Sequence, residues 1–277
     1  MSTTVELQLS YAGHCTASAH HAVKGAPKGK IKFHALWGLI KHPQRGYILF
    51  DTGYTDRFFA ATKSWPNKIY SLMTPVVIDK ADEVRSRLEN SGVKTSDVTY
   101  IIISHFHADH VAGLKDFPNA QILCSKKAYE HTFSIPRWRG FAKGVLFDLI
   151  PEDIKSRVDF VEDFGCAISD PKLGVGYDLF SDNSVISYDL PGHAAGQIGA
   201  VVKTKSESVF LVADAVWDIR AITQDLLPHP IVKLFFDSWN DSCDSIERIR
   251  KFSSSNPEIK IIPTHCSATT DELIEKR

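Results

Sequence analysis

Neither sign of charge is in excess in this chain. It carries 32 Lys and Arg against 33 Asp and Glu over 277 residues, a formal net charge of −1. Nucleic-acid binders present a basic face or stripe, and without one a small, weakly charged or apolar substrate is the simpler expectation. Long apolar runs are also missing: none approaches the roughly 18–20 residues that a membrane span needs. The stretch from Met1 to Leu9 has no basic segment and no apolar run behind it, so no secretory signal is expected. Cysteine is sparse. Cys15, Cys124, Cys166, Cys243 and Cys266 are odd in number and far apart, which fits neither a disulfide framework nor a Cys-x-x-Cys clamp. The expectation is a cytoplasmic protein with reduced, buried thiols and neither a membrane nor a nucleic acid as partner.

What the chain does have is apolar side chain, 43% of residues, enough to bury a large core. Short runs rich in Val, Ile and Phe recur between turn residues. Val5–Ser10 alternates weakly, and Ile31–Trp37, Gly46–Phe50 and Val98–Ser104 read as strands. In the second half Ser184–Leu190, Gly199–Lys203, Val209–Ala213 and Ile259–Pro263 do the same. Helical spacing appears at Lys80–Ser91, through Ala81, Val84 and Leu88, and at Ser238–Phe252, through Cys243, Ile246, Ile249 and Phe252. This order predicts an α+β fold, sheets packed together with helices outside. Tyr47–Asp51 and Val209–Asp214 are both apolar strands ending in aspartate, a weak internal echo of two halves. Residues 125–183 have weak periodicity and many aromatics, Gly and Pro, and are expected to be an insertion or lid.

The chemistry concentrates in Ser104-His105-Phe-His107-Ala-Asp109-His110. A buried strand ends where three imidazoles and a carboxylate crowd into six residues. Such groups would be costly to desolvate without a partner, and they suit Zn²⁺, Fe²⁺ or Mn²⁺. His105 and His107 share a face if extended, while Asp109 and His110 fall on the turn into a helix, so two metals sharing the loop is the natural arrangement. His193 in Pro-Gly-His, Asp214 after Val209–Ala213 and His265 in Pro-Thr-His each follow a strand and are candidate further ligands.

His-x-His-x-Asp-His resembles the signature of the metallo-β-lactamase superfamily. Asp51-Thr-Gly53, Pro191-Gly-His193, Ala213-Asp-Ala215 and Thr264-His265 resemble its other motifs, in the same order. The resemblance implies one domain over residues 1–277, an αβ/βα sandwich of two mixed sheets with the metals between them. It implies that His105, His107 and His193 hold one metal and Asp109, His110 and His265 the other, with Asp214 bridging and Asp51 bracing the loops. Two divalent metals per chain follow, zinc being the first expectation, with iron, cobalt and manganese also accepted by such ligands. Within the superfamily the chain is most similar to the N-acyl-homoserine lactonases, in spacing, in the Gly13-His-Cys15 segment and in the stretch from Asp214 to an aromatic. One position departs: Trp217 stands where those lactonases carry a tyrosine that assists at the substrate oxygen.

The reaction implied is attack of hydroxide on the carbonyl of a lactone or related ester, with Asp109 carrying the proton and Asp214 part of the catalytic metal bridge. The alternatives are a glyoxalase-II-type thioesterase and a non-catalytic metal-binding member of the fold; a homodimer is left open. His229, bracketed by prolines, is a candidate for stabilising the leaving group. The aromatics from Phe58 and Phe59 to Tyr70, and from Phe133 to Phe147, are expected to wall an apolar cleft over the metals.

Overall fold

The computed structural model describes residues 3–26 and 28–275, with the side chains of 272–275 left out of the description. The ends of the chain, including the first two residues of the segment read above for a secretory signal, lie outside the described residues. Thirteen strands occur in it: β1 (Glu6–Ser18), β2 (Lys30–His42), β3 (Gly46–Phe50), β4 (Val76–Val77), β5 (Val98–Ile102), β6 (Gln121–Cys124), β7 (Val158–Phe160), β8 (Cys166–Asp170), β9 (Gly174–Asp178), β10 (Val185–Asp189), β11 (Ile198–Lys203), β12 (Ser208–Ala213) and β13 (Ile259–Pro263). Seven form one sheet in the order β4-β1-β2-β3-β5-β6-β7, and six form the other in the order β13-β12-β11-β10-β9-β8. Both are mixed: β3, β5, β6 and β7 run parallel, as do β12 and β13.

Strand periodicity dictates the layers. Ile48, Phe50 and Ile102 point into the core between the sheets, where they meet Ile198, Leu211 and Ile262. Their neighbours Leu49, Ile101 and Ile103 point outward and pack with Val84 and Leu88 of the helix Val84–Asn90. On the other sheet Leu211 and Ala213 face inward, while Phe210 and Val212 face Ile246, Ile249 and Phe252 of the helix Trp239–Ser255. Residues at i and i+2 share a sheet face, and residues at i and i+4 or i+3 share a helix face, so one alternating pattern builds four layers. This is the expected αβ/βα sandwich.

Two sequence expectations change. β1 and β2 are each 13 residues long, well beyond Val5–Ser10 and Ile31–Trp37. Their register shifts between Tyr11 and His14, and that bulge breaks the alternation by which a long strand is recognised. Nor are residues 125–183 a lid as a whole. They supply β7 to one sheet and β8 and β9 to the other, and Leu146, Leu149 and Ile154 lie in the core. These strands are short, half polar and near sheet edges, which hides them from periodicity. Among the described residues no helix is long and apolar enough to cross a membrane.

Candidate metal centre

Five strands deliver the site at their C-terminal ends, where open sheets commonly place ligands. β3 ends at Asp51, β5 leads to His105, β10 to His193, β12 to Asp214 and β13 to His265. The two sharpest corners are strained: Asp51 has φ +56° and Ala213 φ +49°, a region that L side chains seldom adopt. Gly192 enters so close to the Trp239–Ser255 helix that a Cβ there would lie 2.1 Å from Ser242 N.

Buried Asp51 organises the histidine loop. Its Oδ1 accepts a hydrogen bond from Ser104 N (2.8 Å) and its Oδ2 one from Ser104 Oγ (2.8 Å). The same Oδ2 lies 2.8 Å from His110 Nδ1. With Nδ1–H donated to the carboxylate, Nε2 of His110 keeps its lone pair for the centre. His265 is set the same way, its Nδ1 lying 2.8 Å from the carbonyl oxygen of His34. Phe33 stacks on the His265 ring, with centroids 4.7 Å apart.

Two groups of ligand atoms result. His105, His107 and His193 form one; Asp109, His110, Asp214 and His265 form the other; in each the atoms lie within 4.8 Å of one another. Asp214 stands between them: its Oδ2 is 3.3 Å from His193 Nε2 and 2.9 Å from His265 Nε2, and its Oδ1 is 3.4 Å from His110 Nε2. His193 Nε2 and His107 Nδ1 are 3.0 Å apart.

Four atoms test whether the residues suit metal. His105 Nε2, His110 Nε2, His193 Nδ1 and Asp214 Oδ1 are buried and have no hydrogen-bond partner among the described residues. Buried polar atoms are ordinarily satisfied. Two of these four, His110 Nε2 and Asp214 Oδ1, lie 3.4 Å apart within the second group, and a mixed imidazole and carboxylate set is what divalent cations accept. The centre could hold two such ions.

Titration behaviour follows from the same crowding. Burial pushes His105 and His193 well below the ordinary histidine value, and His107 down to about 4. Burial also opposes charge on His110 and His265, but nearby carboxylates override it: Asp109, Asp51 and Asp214 hold His110 well above its usual value, and Asp214 leads in raising His265. Burial would raise Asp214, yet His265, His110 and His193 hold it well below the usual carboxylate range.

All seven expected ligands are therefore brought together, with Asp51 behind them. Trp217 is also at the site: its ring meets His193 edge-on at 5.6 Å and stacks on Phe236 at 5.1 Å. His229 is not. Its ring packs on His20 at 4.4 Å, and its Nδ1 accepts from Ile231 N at 3.2 Å, so it faces the N-terminal hairpin and caps its own loop. The expected aromatic wall is corrected too. Phe58 is fully buried core, Trp138 is 64% exposed, and Phe133 and Phe147 line a separate surface depression. A narrow cleft of about 30 Å³ opens beside His107 and His193, walled by Phe106, Ile135, Val145 and Phe235 and edged by Lys143 and Asp237.

Three contributors, Ser104, Gly144 and Tyr54, have no role in the sequence reading, and Tyr70 enters it only as an aromatic of the expected cleft wall. Ser104, the residue before His105, links Asp51 to the loop. Gly144 (φ +74°) lies so close to His107 that a Cβ would sit 2.5 Å from its ring, and its carbonyl accepts from Ala108 N at 3.0 Å. The hydroxyls of Tyr54 and Tyr70 interact with each other; burial first, and then the Asp109 carboxylate, raises both well above the ordinary tyrosine value.

Comparison with known proteins places this geometry in a lineage. The protein named N-acyl homoserine lactonase AttM from Agrobacterium fabrum is 26% identical over 256 residues, covering 92% of this chain and 90% of that one. Its namesake from Azorhizobium caulinodans is 25% identical over 254 residues, covering 90% and 88%. A solved structure of an N-acyl homoserine lactone hydrolase, with the product N-hexanoyl-L-homoserine at its catalytic metal center, shares the fold with a TM-score of 0.74 and 19% identity, over 98% of this chain and 97% of that chain. AidC, a dizinc quorum-quenching lactonase, does so with a TM-score of 0.62 and 16% identity, over 96% and 89%. The model of the metallo-beta-lactamase superfamily matches residues 32–255, most of the chain, including six of the seven clustered side chains. The chain belongs to the metallo-beta-lactamase superfamily.

Proposed function

We propose that this protein is a dinuclear metal-dependent hydrolase that opens lactones and related carboxylic esters, with N-acyl homoserine lactones the substrates to test first. The observation that carries it is the convergence of seven side chains with four unpartnered buried atoms among them. The similarity along nearly the whole chain to lactonases supports the choice of reaction. His105, His107 and His193 would hold one ion, Asp109, His110 and His265 the other, with Asp214 shared. Zinc is the metal we propose. The chain would act as one domain, with quorum quenching as a consequence if N-acyl homoserine lactones are the substrates.

When bound, two such ions would supply activation of water near neutral pH and polarisation of the substrate carbonyl. The protein supplies the rest. Asp51, Ser104 and the His34 carbonyl fix which ring nitrogens face inward, so the ligands need not reorganise. Asp109 Oδ2 lies 3.5 Å from His110 Nε2 and 3.7 Å from His265 Nε2, and among the described residues no hydrogen bond ties down its other oxygen. That oxygen would take a proton and pass it to the leaving group. Trp217 cannot pass a proton; its indole N–H is buried and unpartnered. It packs instead as an aromatic wall beside His193.

The test is a comparison of kcat/KM for acyl homoserine lactones, aryl esters, thioesters and phosphodiesters on metal-loaded protein. Lactones should be turned over best among unactivated substrates. A thioester preference would move the protein to the thioesterase reading, and no turnover on any class would make it a non-catalytic member.

A further inference from the structure

Around the cleft the surface has a composition unlike the rest of the chain. Three segments, 57–78, 131–147 and 226–236, are acid-free runs, bounded by Asp56 and Asp79, by Glu130 and Asp148, and by Asp225 and Asp237. Of these bounding acids Asp56, Asp148 and Asp225 are paired with Lys80, Arg137 and Arg250, and Asp237 at the cleft edge lies 3.8 Å from His131. The same segments hold Arg57, Lys63, Lys68, Arg137, Arg139, Lys143 and Lys233. Arg57 is taken up by Asp116 and Arg137 by Asp148, while Lys63, Lys68 and Lys143 have no acidic partner among the described residues.

The apolar side chains there are exposed. Of the eleven large hydrophobic residues exposed among the described ones, ten lie in these segments. Leu234 is 85% exposed, Trp65 68% and Trp138 64%, with Leu72, Met73 and Phe235 also above half. An apolar surface of this kind on a folded chain marks an interaction site. The segments are neighbours. The helix Lys68–Met73 packs on the turn Arg137–Lys143, and Ile135, Lys143 and Phe235 share the wall of the cleft beside His107 and His193.

We propose that this apolar, cationic rim docks on an anionic lipid surface, with the cleft facing the bilayer. Charge decides the occupant. A two-fold contact between copies would bring a rim with more unpaired cations than acids against itself. An anionic membrane complements them, while Trp, Leu, Met and Phe enter the boundary between headgroups and acyl chains. Arg139 lies 5.0 Å over the Trp138 ring and Lys233 4.9 Å over Trp239, so cations sit directly beside the apolar side chains. An amphiphilic ester partitioned into the leaflet would then reach the cleft without crossing water. Docking itself does not depend on the hydrolase reading.

The experiment is co-sedimentation of the full, metal-loaded chain with vesicles of phosphatidylcholine, alone and with about 30% phosphatidylglycerol. Binding should require the anionic lipid and weaken as salt rises. Each of Lys63→Ala and Arg139→Ala should lower the partition coefficient about fivefold, the factor for roughly 1 kcal/mol per basic residue near such a surface. Trp138→Ser with Leu234→Ser should lower it further and leave hydrolysis of a short, water-soluble ester unchanged. No binding by the unaltered chain, or equal binding to neutral and anionic vesicles, overturns the proposal. So does a dimer in solution that the same substitutions dissociate. The lipid and salt dependence of the unaltered chain decides the matter even if a variant fails to fold.

Discussion

Asp51→Asn is the sharpest single change for testing how the centre is held. The carboxylate now accepts at both oxygens: from Ser104 N and Ser104 Oγ at 2.8 Å each, and from His110 Nδ1–H at 2.8 Å. An amide of the same shape keeps one acceptor for Ser104 N but turns two donor hydrogens toward His110 Nδ1. The imidazole must then move its proton to Nε2, the atom that lies 3.4 Å from Asp214 and 3.5 Å from Asp109. Losing a carboxylate behind a ligating histidine typically lowers metal affinity 10–100-fold, about 1.4–2.8 kcal/mol. The loss should fall on the group of Asp109, His110 and His265, with the ion of His105, His107 and His193 retained. Competitive chelator titration at alkaline pH, with circular dichroism to show that the fold persists, reads this directly. Two ions held as tightly as in the unaltered protein would refute the role given to Asp51.

Three other expectations follow from the same geometry. Metal-free protein should be most stable near pH 6.5. Below that value His105, His107 and His193, all pushed down by burial, bind fewer protons folded than unfolded, so stability falls as pH falls; above it His110 and His265, held up by carboxylates, lose protons that stabilised the fold. Thermal unfolding across pH checks this, and a monotonic profile would contradict it. Gly144→Ala places a Cβ 2.5 Å from the His107 ring at a φ of +74°, so it should cost about 1 kcal/mol or more and weaken the His105, His107 and His193 site; unchanged metal affinity would contradict the close approach. Trp217→Tyr should raise activity on lactones with poor leaving groups more than on activated aryl esters, and equal changes would mean that the position only shapes the cleft.

How far the sequence could be read depended on how local each signal was. His105, His107, Asp109 and His110 crowd one loop, so their purpose is legible without a fold. His193, Asp214 and His265 are single residues after ordinary strands, and only the resemblance joined them, since their meeting depends on both sheets. His229 was misplaced because flanking prolines speak for rigidity and say nothing of direction; His20 and the loop backbone claim its ring. Phe58 and Trp138 are alike in a sequence, yet one is core and the other surface, because that difference lies in packing between distant elements. The long β1–β2 hairpin and the short β7, β8 and β9 escaped notice for opposite reasons: a bulge in the first, too few alternating residues in the others.

We propose that two ions share this cluster through Asp214. Elemental analysis of protein purified without chelator, beside its Asp109→Ala variant, tests it most directly. About two equivalents per chain are expected in the first and about one in the variant, since Asp109 belongs to one group alone. A single tightly held ion in the unaltered chain, undisturbed by Asp109→Ala, would contradict it.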